Sequence, residues 1–600
     1  MGKHWKPGLV DESRTIAYFS MEIGVDPRIP TYSGGLGILA GDTLKACADL
    51  CIPIVGVTLL SEKGYFLQRI GVGGEQIELE NTWDVAELLT LLPVKVVVQA
   101  EGRSITIQAW EGAIETQYGC DVPIYYLDTN VPENSEYDRT LTSYLYGGDR
   151  RYRILQEVVL GIGGVKMLKA LGYQGIERYH MNEGHSAFAV IELLRNNPSG
   201  KQEGPISERY NTEAVRKQCI FTTHTPVPAG HDVFEAGLVR SVFEGYFPVW
   251  EMGECFHDGL FNMTLLALNY SYYANAVSKL HGVVTPAMFP GFPMDSITNG
   301  VHLPTWVSGE MKKLFDKYAP GWVREPDTLR CMITVPNEEV WEAHASAKRR
   351  LIDFVNHQTN AGMDFETFTI GFARRATPYK RATLVFRNVD DLIRIHQSVG
   401  PVQIIFGGKA HPQDTAGKKL IRDVFRVIEQ LKGHIKIAFV QNYDMYLGQM
   451  MTAGVDLWLN TPMRPLEASG TSGMKAAANG IPNLSVLDGW WVEGCIEGVT
   501  GWGIGPMPDT KLSNSNDDED ARDLLRKLKE EVLPCYYRRR EQWIQVMKNS
   551  IAFNAPVFNT IRMVYQYITH AYFLGTSGFV VGRGTLGCVW IRGYKGASKH

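Results

Sequence analysis

The chain has 600 residues, 44% of them hydrophobic and 21% charged, which is more than one ordinary core holds and suggests two large domains. Its 60 basic and 65 acidic residues leave a net charge of −5, so nothing draws it to nucleic acid or an anionic membrane, and any basic site must be local. Nine scattered cysteines without a CxxC pair, no run of eighteen apolar residues and no apolar signal core in Met1 to Ser20 argue against structural zinc, a disulfide framework and a membrane span, and predict a cytoplasmic protein with reduced thiols and no metal.

Thr15 to Ser20 reads as the first strand, with Glu22 near its end. Gly35 to Ala40 matches G-x-G-x-x-A. The preceding Ile29 to Ser33 is a loop, however, and a dinucleotide fingerprint needs a strand before its turn. What survives is a side-chain-poor helix start at Gly34 and Gly35 that lets a phosphate approach the backbone. Ile52 to Leu60 is a buried strand, Val94 to Ala100 and Ser104 to Ile114 a hairpin turning at Glu101-Gly102, and Pro123 to Leu127 another strand. Tyr152 to Ala170 has helical spacing. Glu177 to Asn182 and Cys219 to Thr223 are strands that run into polar loops carrying Glu183 and His185, and His224 and His231. Strand ends are where open α/β sheets place ligand groups. A proline-rich stretch surrounds Asp295 to His302, with Asn299 inside it, and the domain crossover is placed just after.

In the second half, apolar runs at 368–374, 402–406, 435–440, 455–459 and 483–486 alternate with helical segments near 381–397, 415–432, 444–453 and 474–479. That alternation predicts a parallel, doubly wound sheet. The first of these strands runs into Arg374-Arg375 and Tyr379-Lys380-Arg381, four cations in eight residues at a strand's carboxyl end, which is an anion signal. Arg464 to Lys475 joins a carboxylate (Glu467), the small residues Ser469 to Gly473 and a lysine. Ser469 to Gly473 reads as a strand-to-helix turn with free N–H groups, and Lys475 lies about one turn inside the helix. Such a lysine holds a phosphate by charge, or binds an aldehyde covalently once its amine is desolvated. Residues 513–520 read as an acidic linker, Glu519 to Lys529, Tyr536 to Lys548 and Thr560 to Phe573 as helices, the last packing back across the domains, and 575–600 as a poorly ordered tail.

Glu467 to Lys475 resembles the cofactor-lysine motif of the α-glucan (glycogen, starch, maltodextrin) phosphorylases. The likeness extends to Arg375 with Tyr379-Lys380-Arg381, Gly407 to Ala410, Leu487-Asp488-Gly489, Ile297 to Gly300, His224-Thr225 and Gly34 to Gly37, in the same order, over roughly residues 14–570. It is nearest the short prokaryotic branch. The resemblance implies a GT-B fold, two facing Rossmann-like doubly wound domains (1–303 and 304–574) with the site in the cleft between them. It implies pyridoxal 5'-phosphate on Lys475 and reversible, retaining phosphorolysis of terminal α-1,4-linked glucose to α-D-glucose 1-phosphate. It also implies roles. Arg375, Lys380 and the Gly34-Gly35 turn would hold substrate phosphate, while Thr471, Ser472 and Gly473, with Tyr443 nearby, would hold the cofactor. Glu467, Ser469 and Gly470 would bind glucose hydroxyls, Asn299 and His224 would bind near the 6-hydroxyl, and Glu183 and His185 would complete the sugar site. The partners implied are α-glucan, inorganic phosphate and glucose 1-phosphate, with a homodimer typical of the family.

Three departures from the long enzymes stand out. Gly24 replaces a tyrosine that touches the cofactor there. Tyr443-Asp444 replaces a Tyr-Arg pair, which implies either weaker phosphate affinity or a charge balanced instead by Arg464. The amino-terminal extension that carries phosphorylation and nucleotide control in animals is lacking, so no such regulation is expected. The rival readings are a nucleotide-sugar-dependent glucan synthase of the same fold, which would carry a glutamate near the position of Lys475, and a non-catalytic glucan-binding protein.

Overall fold

The computed structural model describes residues 14–227, 230–508 and 516–573, together with the backbone of 579–583 and 589–593. Two open sheets dominate it. The first contains β1 (Ile16–Phe19), β2 (Ile54–Leu59), β3 (Thr90–Ala100), β4 (Arg103–Ile114), β5 (Val122–Asp128), β6 (Arg178–Asn182), β7 (Cys219–Thr222), β8 (Tyr273–Ala276) and β9 (Asp295–Ser296), in the order β9-β8-β7-β6-β1-β2-β5-β4-β3. Its strands are parallel except where β4 pairs with β3 and β5. The β3–β4 hairpin turns through two left-handed residues, Glu101 (φ 51°) and Gly102 (φ 70°), the turn whose twist matches paired strands. β1 lies between β2 and β6, in register from Ile16 opposite Ile54 and Arg178, and all four of its residues are buried.

The second sheet is parallel throughout: β10 (Phe368–Ala373), β11 (Val402–Gly407), β12 (Lys436–Val440), β13 (Leu457–Asn460), β14 (Asn483–Val486) and β15 (Gly501–Ile504), ordered β12-β11-β10-β13-β14-β15. The strand order reverses beside β1 in one sheet and beside β10 in the other. Ligands bind at such switch points, outside the strand carboxyl ends, because adjacent connections leave in opposite directions and open a crevice.

Helix α1 (Gly35–Asp49) follows β1 directly and is buried along most of its length. The helical segment from Thr560 to Tyr572 packs on it. Tyr572 Oη lies 2.9 Å from His180 Nδ1, and Tyr567 Oη lies 3.2 Å from Thr222 Oγ1.

The structure departs from expectation at several elements. Cys51 and Cys120 form a disulfide, whereas reduced thiols were expected, since Cys120 is brought next to Cys51 by sheet pairing rather than by sequence spacing. The helix expected over 381–397 starts only at Val389, capped by Asn388, because Arg381 is left-handed (φ 47°) and a 3-10 turn follows. The part of the expected linker that is described, 516–520, opens a helix, Asp517–Lys527. Asn516 caps it, and its four leading acids suit the positive end of the helix dipole. The rest, 513–515, falls outside the described residues. Within 575–600, expected to be poorly ordered, the backbones of Phe579–Arg583 and Val589–Gly593 pair as antiparallel strands, and the remaining residues are outside the described ones. β15, rich in Gly and Trp, carries no strand signal in the sequence and forms by pairing with β14. Among the described residues, no helix is long and apolar enough to cross a membrane.

Candidate active site

At the end of β1, the Glu22 carboxylate accepts hydrogen bonds from Ser33 N (2.5 Å), Gly34 N (3.2 Å) and Tyr146 Oη (2.8 Å). The Gly34 amide is therefore engaged by Glu22 and is not the open phosphate donor expected from the sequence. Nothing stands within 4 Å of where a Gly35 Cβ would be, so that face of the turn is open. A Cβ at Gly34 would stand 3.1 Å from Arg375 Nη2, so glycine is needed there for the guanidinium to come close. Gly34, after β1, and Arg375, after β10, thus lie side by side.

The four cations after β10 divide sharply. Arg374 Nη2 and Lys380 Nζ both contact Glu467 Oε2, at 2.7 and 2.5 Å, and Arg374 also reaches Asn460 at the end of β13. Burial alone would raise the Glu467 pKa, but the two cations hold it below the ordinary carboxylate range. Arg381 is spent on Asp517, Asp520 and the carbonyls of Thr461 and Pro462. Arg375 alone of the four has no carboxylate within 4.0 Å among the described residues. The residue is exposed overall, and its guanidinium stands near Glu22, Tyr379, Tyr65 and Tyr146, whose charges raise its pKa against the desolvation that lowers it. An unpaired arginine in such a wall is a fork for an anion. Arg464, expected as a replacement charge, is not available. It is buried and paired with Asp520 at 2.8 Å. Asp444 is explained as the cap of helix Met445–Gly454, accepting from Leu447 N at 2.9 Å. The room a side chain at Gly24 would need is taken by Tyr32 and Ile38, each 3.1 Å away.

Gly470, in the left-handed region at φ 93°, turns the chain into the helix Thr471–Ala478. The helix starts at Thr471, three residues before the expected Met474, because that turn directs Thr471 straight into helical geometry. Thr471, Ser472 and Gly473 are its first three residues, and their N–H groups head the helix. Ser472 Oγ accepts from Trp458 Nε1 at 3.2 Å, and the Gly473 carbonyl accepts from Asn483 Nδ2 at 3.1 Å. Lys475 is 8% exposed, and its amine sits 3.3 Å from the centre of the Trp306 indole. Burial lowers its pKa to about 8, with Asp42 opposing and Lys45 adding to the shift. A desolvated amine of this kind is a nucleophile near neutral pH. Tyr443, expected beside the cofactor, packs near Gly407 and Gly448.

Around the sugar-site candidates, several buried polar atoms have no partner among the described residues: Ser469 Oγ, Asn299 Oδ1 and His185 Nδ1. Such groups call for a ligand or water. Glu183, held at φ 75°, accepts from His224 N (2.8 Å), Thr225 Oγ1 (3.0 Å) and Gly184 N (3.1 Å). His224 Nε2 lies 2.6 Å from Asn182 Oδ1, and His185 Nε2 lies 3.4 Å from Asp232. Burial lowers both histidines to about 3, so they are neutral hydrogen-bonding rings. Asp488 is pushed up to about 7 by burial and by nearby Glu467, against the hydrogen bonds it takes from Glu467 N and Gly489 N. Sequence reasoning missed Trp306, Asp42 and the pairing of Arg374. Asp42 had one signal, a carboxylate among Leu39, Ala40, Leu44 and Ala46 on the first helix.

The family described as carbohydrate phosphorylase matches residues 252–499. Maltodextrin phosphorylase of Thermococcus litoralis is 42% identical over 597 residues, covering 93% of this chain and 70% of its own length. Glycogen phosphorylase of Aquifex aeolicus is 36% identical, covering 93% of this chain and 86% of its own, and that of Mycobacterium tuberculosis is 36% identical, covering 93% and 70%. The chain belongs to the carbohydrate phosphorylase family.

Proposed function

We propose that the protein is an α-glucan phosphorylase, a hexosyltransferase that moves terminal α-1,4-linked glucose reversibly to inorganic phosphate with retention, giving α-D-glucose 1-phosphate. In this reading two doubly wound domains, 1–303 and 304–574, face each other in the GT-B manner. The protein works in the cytoplasm, as a homodimer typical of the family. The observation that carries the reading is the buried Lys475 amine, lowered to about 8, on the helix headed by Thr471 and Ser472.

That arrangement fits pyridoxal 5'-phosphate: a nucleophilic amine for its aldehyde, an indole face from Trp306 beside it, and helix-start amides for its phosphate. When bound, the cofactor supplies a second phosphate, whose proton is shared with the substrate phosphate near neutral pH. Arg375 offers the substrate anion a bidentate fork, and the open Gly35 face lets it approach. Arg374 and Lys380 keep Glu467 ionised as an acceptor for sugar hydroxyls, and Lys380 would supply a second charge to the substrate phosphate. Ser469 Oγ and Asn299 Oδ1 gain partners from the same hydroxyls. Glu183, by holding the His224 N–H, fixes the peptide plane of the loop that would border the reacting sugar.

The test is borohydride reduction of the purified protein with peptide mapping, followed by a glucose 1-phosphate assay on maltodextrin and phosphate. A pyridoxyl adduct on Lys475 and phosphate-dependent product are expected. No adduct in cofactor-supplied protein, with transfer from a nucleotide sugar instead, would overturn the reading in favour of a synthase.

A further inference from the structure

Lys475 is tied to the first helix by a bridge that the reaction does not require. Asp42, on α1 and 1% exposed, accepts a hydrogen bond on Oδ2 from Trp306 Nε1 at 2.7 Å and another from His302 N at 3.2 Å. The face of that same indole carries the Lys475 amine at 3.3 Å. Asn479 Nδ2 donates to the carbonyls of both Trp306 and Lys475, at 3.0 and 2.9 Å, so the two backbones are locked to each other. Asp42 Oδ1 is buried and has no hydrogen-bond partner among the described residues.

A buried carboxylate with one oxygen unsatisfied is costly unless it faces a positive charge. Two cationic side chains act on this spot. Lys45, one turn along α1, donates to Thr305 Oγ1 at 3.1 Å and is also stabilised by the Asp42 charge, with Asp26 and Asp49 adding to it. Lys475 is the other. The remaining acid–base pair nearby, Asp49 with His302 at 2.9 Å, is closed on itself. The indole donates its N–H to the anion and presents its electron-rich face to the cation. Each contact strengthens the other, because hydrogen bonding to a carboxylate increases the negative character of the ring.

We infer that Asp42 is a positioning residue for Lys475: acting through the Trp306 indole and by its own charge, it aims the amine and serves as its counter-ion. In the proposed phosphorylase this sets how much of the amine is free to take a carbonyl group at neutral pH, and so the inference gives the cofactor reading a determinant outside the Lys475 motif. The pKa ordering fits. Burial depresses the Lys475 pKa, and the Asp42 charge is what opposes it.

The experiment measures the amine itself. Full-length protein, freed of any bound carbonyl compound with hydroxylamine and desalted, is labelled with limiting acetic anhydride between pH 6 and 10, and the Lys475 peptide is quantified by mass spectrometry. The expected midpoint near 8 falls by about one unit in Asp42→Asn, as loss of a close opposite charge requires. Asp42→Glu restores it, and Asp49→Asn leaves it in place, although Asp49 packs on the same helix. Asp42→Ser removes the charge while keeping an acceptor for the indole, and it carries the comparison where Asp42→Asn fails to fold. An unmoved midpoint in the charge-removing variant, or an equal shift in Asp49→Asn, overturns the inference. Borohydride mapping of cofactor-supplied protein that has not been stripped or acetylated is run beside it. If that finds no pyridoxyl adduct, the cofactor reading falls while the midpoint comparison still decides the Asp42–Lys475 link.

Discussion

Lys380 Nζ stands 2.5 Å from Glu467 Oε2, with Arg374 on the same oxygen at 2.7 Å. One acid therefore balances two buried cations, which joins the end of β10 to the small-residue turn before the Lys475 helix.

Replacing Glu467 by Gln removes that balance. Breaking a buried ion pair from one side costs about 3–5 kcal/mol. The variant is expected to melt lower and to lose turnover. Thermal denaturation alongside initial rates checks both, and an unchanged melting temperature would mean the trio contributes no stability.

Arg375→Ala should behave in the opposite way. The residue is exposed overall and has no carboxylate partner among the described residues, so the fold loses little. Phosphate binding loses a charge-assisted fork, on the order of 1.5–3 kcal/mol or more than ten-fold in affinity. The decisive comparison is KM for phosphate against the melting curve. A large drop in melting temperature with normal phosphate saturation would show that Arg375 is structural.

Acid should weaken the protein earlier than carboxylate chemistry alone predicts. Burial holds His180, His185 and His224 at about 3, against an ordinary value of 6.5. The unfolded chain binds those protons first. Their contribution to stability is therefore complete above pH 6.5 and declines toward pH 3, each by up to about 1.4 kcal/mol per pH unit. Asp488, raised to about 7, acts with the reverse sign between its ordinary value of 3.8 and 7, as do Glu157 and Glu111, raised by burial, while His281, lowered to about 4, adds to the three histidines. Urea unfolding at pH 7.5, 6.5 and 5.5 should show a net fall below 6.5. A flat profile across that range would contradict the burial of these rings.

Cys51 and Cys120 are bridged across 69 residues. In the chain-entropy account, closing a loop of that size limits the unfolded state by up to about 4 kcal/mol. Non-reducing peptide mapping should recover the joined peptides, and Cys51→Ser should unfold at lower denaturant. Recovery of two free thiols from protein purified without reductant would remove the bridge.

Much of the second sheet was legible in the sequence, because continuous apolar runs such as Phe368 to Ala373 have few other ways to be buried. The Glu101-Gly102 turn was legible too, since few residue pairs accept two left-handed conformations. Gly501 to Ile504 was not, because its glycines carry no strand preference and it forms only by pairing with β14. The start of the Lys475 helix was misread by three residues because Thr471 and Ser472 are poor helix formers, and what admits them is the left-handed turn at Gly470.

By itself the sequence determined which groups the chain could bring to a site: the cation run after Phe368 to Ala373, the small-residue turn, the lysine and the polar loops after two strands. It determined their family likeness as well, since local spacing is preserved along a chain. Only the tertiary structure decided how those groups are used. It committed Arg374 and Lys380 to Glu467 and Arg381 and Arg464 to Asp520, and it left Arg375 open beside Gly34. It also placed Lys475 on the indole held by Asp42, more than four hundred residues earlier. Charge pairing and desolvation act through space over a few ångströms, and no local pattern in a sequence specifies which distant residues will come within that reach.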